Sequence, residues 1–243
     1  MKFTPRRIVT NVNVSKTHPI KEFAFLAGGL LAIVVGVYLI LGMAVDLIVP
    51  HISMELENKL AGAFTGRFIR SDETDDATRS VQALVDRLLD RCAPLPYTIT
   101  VHVQQAEAIN AAALPGGHMV VFTGLLEKMT SENELAFVLA HELGHYAHRD
   151  HLRGLGRALV LMTASTVLLG ADNNISGMIG QGMMLTELSF SRKQESQADE
   201  YALDTLSCHY GHVAGATSFF EKIPSFAVAA EEYVVEQLAE VFG

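Results

Sequence analysis

Two histidines and a glutamate in the run His141-Glu142-Leu143-Gly144-His145 have the residue types and spacing that metal-assisted hydrolysis requires. On an α-helix, positions i and i+4 share a face, so His141 and His145 can reach one metal ion. Glu142 points toward the same cleft without having to ligate, and is placed to act on a metal-bound water. The flanking pattern predicts the helix. Ser131 followed by Glu134 reads as a capping box, and Leu135, Val138, Leu139 and Leu143 recur at helical spacing. A solvent-facing helix with two chance histidines needs neither the cap nor the stripe.

Catalytic zinc takes three protein ligands and keeps one position for water, so a third ligand is required. His151 lies ten residues after His141, the spacing of HExxHxxGxxH enzymes. Those enzymes need a glycine at the seventh position to turn out of the helix, and His148 stands there, where positive φ is strained. Glu195 is the alternative, on a second helix whose face it shares with Asp199, four residues on. Asp199 would accept a hydrogen bond from a zinc-bound histidine and fix its tautomer. Turn chemistry favours Glu195 over His151. His148 and His151, with Arg149 between them, then read as imidazoles at a helix C-terminus, favourably placed on the dipole.

HELGH, followed about fifty residues later by Ser191-Arg192-Lys193-Gln194-Glu195-Ser196-Gln197-Ala198-Asp199, resembles the zinc metallopeptidases of the HtpX and CAAX-prenyl-protease type, which are gluzincins. Asn110-Ala111-Ala112-Ala113-Leu114-Pro115-Gly116-Gly117 is similar to the family's Asn-Ala-x-x-x-Pro-Gly-Gly strand ahead of the active-site helix. The resemblance covers residues 70–225 and implies zinc ligands His141, His145 and Glu195 around one Zn²⁺ ion. It also implies Glu142 as general base and endopeptidase activity on proteins or peptides, in envelope or membrane protein quality control. The family's peptide-binding edge strand would correspond to Ala112, Ala113 and Leu114 here. Gln197 stands where the family often has Glu. Family members usually continue into a His-Pro segment and an Arg, and this chain stops at Gly243 without one. His209, Tyr210 and His212 read as a helix-terminal surface cluster with Gly211 as the C-cap, or else as the candidates to supply an oxyanion donor in its place, and slow cleavage is the expectation.

Phe23 to Val45 is an unbroken apolar run, long enough to cross a bilayer with some tilt. It exceeds the apolar region of a signal peptide and has no polar face for a buried core helix. Lys2, Arg6, Arg7, Lys16 and Lys21 precede it, and Asp46, Glu55 and Glu57 follow before the first basic residue, Lys59. The positive-inside rule therefore predicts a single-pass inner-membrane protein with a cytoplasmic N-terminus and a periplasmic catalytic domain. A net charge of −9, with no basic stripe outside the leader, argues against nucleic acid as a partner.

The expected organisation is a basic leader 1–22, a transmembrane helix 23–45, a linker 46–72 and a metallopeptidase domain 73–243. Residues 51–72 read as a linker or a short amphipathic helix. Val81, Leu84, Val85, Leu88, Leu89 and Cys92 mark a helix stopped by Pro94 and Pro96. Tyr97, Ile99, Val101 and Val103 alternate as a half-buried strand, and residues 119–123 form a second. His118 reads as a solvent-facing strand histidine, Tyr146 as a packing residue, and Cys92 and Cys208 as two buried thiols. Ala158 to Gly170 is a second apolar stretch, too short for a comfortable span, read with residues 177–185 as a helix pair over the site or dipping into lipid. Residues 214–238 read as further helix. The fold class is thus α+β: a zincin-like, mostly helical domain with a small sheet behind one transmembrane helix. The rival readings are a catalytically impaired homologue serving as a membrane scaffold or chaperone-like protein, and a metal-storage or metal-sensing protein, which would need no carboxylate at Glu142.

Overall fold

The computed structural model describes residues 18–68, 75–170, 190–216 and 218. Its elements run α1 Pro19–Ile48, a 3₁₀ turn Val49–His51, α2 Met54–Phe68, α3 Asp76–Arg91, β1 Thr100–Gln104, β2 Ala111–Leu114, β3 His118–Phe122, α4 Thr123–Lys128, α5 Glu132–His148, α6 Asp150–Leu169 and α7 Arg192–Tyr210. The described residues are mostly helical, with one three-stranded sheet. No residue of α1 is buried, and the helix is long and apolar enough to cross a membrane. The expected helix over 214–238 lies almost wholly outside the described residues, and the stretch 177–185 entirely so.

Local chemistry accounts for the element ends. Asp75 caps α3 by accepting from Thr78 N at 2.7 Å. Ser131 caps α5, but Glu134 reaches back to Thr130 N (2.9 Å) and the Thr130 hydroxyl (2.7 Å), so the capping box expected there is only half closed. The reciprocal box occurs instead at α7, between Ser191 and Gln194.

The strand order is β1-β3-β2, with β1 parallel and β2 antiparallel to β3. β2 is therefore an edge strand. Val101, Met119, Val121, Ala111 and Ala113 are buried from one face of the sheet, in a core shared with Leu84, Val85 and Leu88 of α3 and Phe137 and Leu139 of α5. Gly116 and Gly117 turn β2 into β3 at φ 80° and 81°. A Cβ at Gly117 would fall 2.3 Å from the Thr98 carbonyl oxygen, so this turn requires glycine.

Three expectations are corrected by the packing. Cys92 and Cys208 are joined in a disulfide, with Cα atoms 5.7 Å apart. The C-terminal end of α3 meets the last turn of α7, a juxtaposition invisible in a sequence separation of 116 residues. His118 does not face solvent freely. It is half-buried beside His102, with Nδ1 3.0 Å from His102 Nε2, and burial pulls both pKa values below the ordinary histidine value. His151 is not at a helix C-terminus but fully buried in the first turn of α6.

The partner of His151 explains how α2 sits. Of the two readings for 51–72, the structure has the helix, and Glu57 of α2 is fully buried. Glu57 Oε1 meets His151 Nε2 at 3.0 Å and accepts from Gly116 N at 3.1 Å. Its Oε2 accepts from the Tyr97 hydroxyl at 3.0 Å and Arg149 Nη2 at 3.2 Å. Burial works against the Glu57 charge, but His151, Gly116 and Tyr97 outweigh it and hold the pKa below the usual carboxylate value. Arg149, in the left-handed region at φ 58°, is the single residue between α5 and α6. Its Nη1 also donates to the carbonyls of Val49 (3.0 Å) and Ile52 (2.8 Å). The end of α1, α2, the β2–β3 turn and the end of α5 thus share one buried knot.

Candidate metal centre

α5 and α7 cross where Gly144 meets Ala198. A Cβ on Gly144 would lie 2.9 Å from Ala198 Cα and 3.2 Å from its carbonyl oxygen, so the helices approach this closely only because position 144 has no side chain. The crossing carries His141 and His145 on one helix and Glu195 and Asp199 on the other. Their ligand atoms converge: His141, His145 and Glu195 each offer one atom within 4.8 Å of the others. His145 Nε2 lies 3.1 Å from His141 Nε2, and the Glu195 oxygens lie 3.4 Å from His141 Nε2 and 4.0 Å from His145 Nε2.

Both imidazoles are oriented from behind. His141 Nδ1 is 2.9 Å from Asp199 Oδ1, and His145 Nδ1 is 3.3 Å from Asp150 Oδ2. Each ring therefore turns its Nε2 toward the cluster. Asp150 is buried, and its Oδ1 accepts from Gln194 Nε2 at 2.6 Å and Arg153 Nη1 at 3.1 Å. Burial opposes a charge on Asp150, but His145, Gln194 and Arg153 hold its pKa below the usual carboxylate value. The Phe190 ring stacks on His145 with centroids 4.0 Å apart. Around His141, burial disfavours charge, yet Asp199, Glu195 and Glu142 outweigh it and push the pKa up to about 10. The cleft is electrostatically prepared for a cation.

The donor set suits zinc. With bonds of about 2.0–2.2 Å in a tetrahedron, ligand atoms sit about 3.3 Å from one another, close to the separations found. Two imidazole nitrogens and one carboxylate leave one tetrahedral position for water. His151 does not join them, since its Nε2 is held by Glu57 and its Nδ1 lies 3.4 Å from the His145 carbonyl oxygen.

Glu142 stands between this cluster and β2. Its Oε2 accepts from Ala113 N at 2.9 Å. Asn110 O accepts from Phe122 N, so by antiparallel alternation Ala111 and Ala113 turn their backbone groups away from β3. That outward edge, with Ala112 and Leu114 in the same strand, borders the Glu142 carboxylate. Tyr146 does more than pack. Its phenol donates to the carbonyls of Leu114 and His118 and accepts from Leu114 N, and full burial raises its pKa well above the ordinary value. It remains a protonated clasp on the end of the edge strand.

His209, Tyr210 and His212 are not brought to the cluster. Tyr210 follows Glu195 by fifteen residues on α7, about 22 Å of helix axis, and its hydroxyl donates to Glu132 Oε1 at 2.8 Å. His212 lies beyond, its ring stacked on Tyr210. The helix that aims Glu195 inward carries them to its far end, where Gly211 is the C-cap, so of the two readings the structure has the helix-terminal cluster and not an oxyanion donor. Sequence reasoning missed Asp150, Phe190, Gln194 and the role of Gly144. Asp150 had one signal, an acidic residue directly after the helix that carries both histidines.

Gly144 supplies a test of the crossing. Gly144→Ala is expected to force α7 away from α5, and the metal content of purified protein should fall at least tenfold, about 1.4 kcal/mol of binding. Unchanged metal content would show that the contact does not set the ligand spacing.

A family model described as Peptidase family M48 matches residues 75–239. Metalloprotease LoiP of Escherichia coli (strain K12) is 33% identical over 131 residues, covering 51% of this chain and 51% of its own length. The mitochondrial metalloendopeptidase OMA1 of Danio rerio is 32% identical over 157 residues, covering 60% of this chain and 33% of its own. Metalloprotease YcaL of the same E. coli strain is 30% identical over 139 residues, 52% of each. The chain thus spans between a third and about half of the length of these curated relatives.

Proposed function

This chain belongs to peptidase family M48, and from that premise we propose that it is a membrane-anchored, zinc-dependent endopeptidase of the zincin type and the gluzincin class. One observation carries the reading: two histidine Nε2 atoms and the Glu195 carboxylate converge, with the imidazole Nδ1 atoms held by Asp199 and Asp150, beside Glu142 and the edge strand β2.

His141, His145 and Glu195 would hold one zinc ion, which would supply the acidification of a water and the polarisation of the scissile carbonyl. Asp199 and Asp150 keep the imidazoles in the ligating tautomer. The Glu142 carboxylate takes the proton of the attacking water and returns it to the leaving amine. A protein or peptide substrate lies extended along β2, its backbone pairing with the outward groups of Ala111 and Ala113, so that Ala113 N–H passes between the general base and the substrate. Recognition through the main chain admits many sequences.

In the domain scheme we propose, residues 1–22 are the leader, 23–45 the membrane-spanning part of α1, 46–72 the joint and 73–243 the catalytic domain. The N-terminus is cytoplasmic and the catalytic domain periplasmic. Flanking charge supports this orientation, and so does the Cys92–Cys208 disulfide, since such bonds persist in oxidising compartments.

The test uses the full chain in detergent or nanodiscs. We expect about one zinc per chain by elemental analysis, cleavage of unfolded casein, loss of cleavage on chelation and its return with zinc. Cleavage that survives complete removal of metal would refute the reading.

A further inference from the structure

We propose that the apolar half of α6 is a second membrane-embedded element, a half-span that enters the bilayer beside α1 from the catalytic side. The inference rests on the reading of α1 as an anchor and is independent of the chemistry at the metal cluster.

Contacts from four residues fix the direction of α6 along α1. Arg149, just before α6, holds the carbonyls of Val49 and Ile52 beyond the end of α1. Arg153 lies 3.7 Å from Asp46, and Arg157 Nη2 reaches both Asp46 oxygens at 3.0 Å. Gly156 lies against Val45, where a Cβ would come 2.7 Å from a Val45 methyl. Advancing along α6 therefore means retreating along α1: the helices are antiparallel, packed closely at a glycine.

From that point α6 changes composition. Residues 158–169 read ALVLMTASTVLL, with no charged side chain. Leu159 is 37% exposed, Leu161 42% and Val167 78%, so among the described residues these apolar groups have no cover equal to their size. The Thr163 and Thr166 hydroxyls are satisfied internally, donating to the carbonyls of Leu159 (2.8 Å) and Met162 (2.9 Å). That is how hydroxyls are accommodated where water is absent. Eleven residues on from Gly156, and eleven back from Val45, Val167 comes level with Val34, the middle of the apolar run 23–45. A half-covered stripe on α1 runs the same way, through Val45, Gly42 and Val34, while most of the helix is exposed. If α1 occupies the hydrocarbon, α6 enters it at the Asp46–Arg157 level and ends near the midplane. Twelve residues of helix give about 18 Å, roughly half of a ~30 Å core.

The occupant of this face is lipid, by continuity with α1. A soluble cap over the cleft would point α6 away from α1, and a dimer contact would remove α6 from lipid; both are decided by the same experiment. The chain contains no tryptophan, so single substitutions report depth without background. Val167→Trp, Leu161→Trp and, as the α1 reference, Val35→Trp are made in the full chain and reconstituted in phosphatidylcholine vesicles brominated near the chain ends or near the headgroup. Leu203→Trp on α7 is the aqueous control. The α6 positions are exposed, so the larger ring displaces little. We expect chain-end bromines to roughly halve the emission of both Val167→Trp and Val35→Trp, as their shared depth in a ~30 Å core requires. Leu161→Trp should respond more to the shallow bromines, and Leu203→Trp only to aqueous iodide. Quenching of Val35→Trp by lipid, with Val167→Trp and Leu161→Trp reached by iodide or by neither quencher, would overturn the half-span. Failure of the α1 reference itself would overturn the anchor reading and the proposal with it, while leaving the zinc assignment standing.

Discussion

Replacing Glu142 with Gln is expected to lower the turnover of casein or peptide by about 10²–10⁴-fold, the range general acid–base catalysis contributes, and to leave the bound metal in place. The separation follows from where Glu142 stands. It offers no ligand to the cluster of His141, His145 and Glu195, and its structural bond, from Ala113 N to Oε2 at 2.9 Å, can be accepted equally by the Gln amide oxygen. The substitution therefore removes a proton acceptor while keeping shape, strand edge and ligands. The check is a pair of measurements on one preparation, zinc by elemental analysis and initial cleavage rate. Retained activity would remove Glu142 from the chemistry. A metal-storage or metal-sensing protein would be indifferent to this change in its metal binding, so lost cleavage beside intact metal separates the classes.

The second large effect concerns the third ligand. Glu195→Ala is expected to strip the metal and abolish cleavage, because two imidazoles alone leave the ion short of a catalytic site's three protein ligands. His151→Ala is the informative comparison. It lies at the sequence position where a third histidine would ligate in HExxHxxGxxH enzymes, but it holds Glu57 instead. Its loss should leave metal content and turnover per folded molecule near normal and cost about 1–3 kcal/mol of stability, the range for a buried acceptor deprived of a partner. Loss of metal on His151→Ala with retention on Glu195→Ala would reverse the assignment.

How much of this could be read in the chain depends on how local each feature is. The helix that carries His141 and His145 was legible because its cap, apolar stripe and i, i+4 histidines all lie within eighteen positions, from Ser131 to His148. Glu195 and Asp199 were legible as a same-face pair on a second helix, and turn chemistry favoured Glu195 although the structure does place a non-glycine residue, Arg149, at positive φ one position after His148. What escaped was fixed by distant contact. Asp150 orients His145 only because the chain reverses through Arg149 and starts a new helix with it. Cys92 and Cys208 looked like unrelated thiols until α3 and α7 were packed together. Glu57, in a stretch read as a linker or a short amphipathic helix, is buried because its four partners come from Tyr97, Gly116, Arg149 and His151. For His209, Tyr210 and His212 the two readings, helix-terminal cluster or oxyanion donor, were separated only by the length of the helix, which carries them away from His141, His145 and Glu195.

The knot around Glu57 also decides where this polypeptide can be divided. A fragment begun at residue 73, the start of the expected catalytic domain, keeps every metal ligand but lacks the carboxylate that Arg149 and His151 enclose, together with the carbonyls of Val49 and Ile52. Removing one side of a buried ion pair typically costs about 3–5 kcal/mol, a large share of the roughly 5–15 kcal/mol that holds a domain folded. A fragment that keeps this knot whole starts no later than Val49. Residues 49–57 therefore belong to the foundations of the domain that carries the candidate site, and an excision that treats them as a disposable tether takes the joint between α5 and α6 with it.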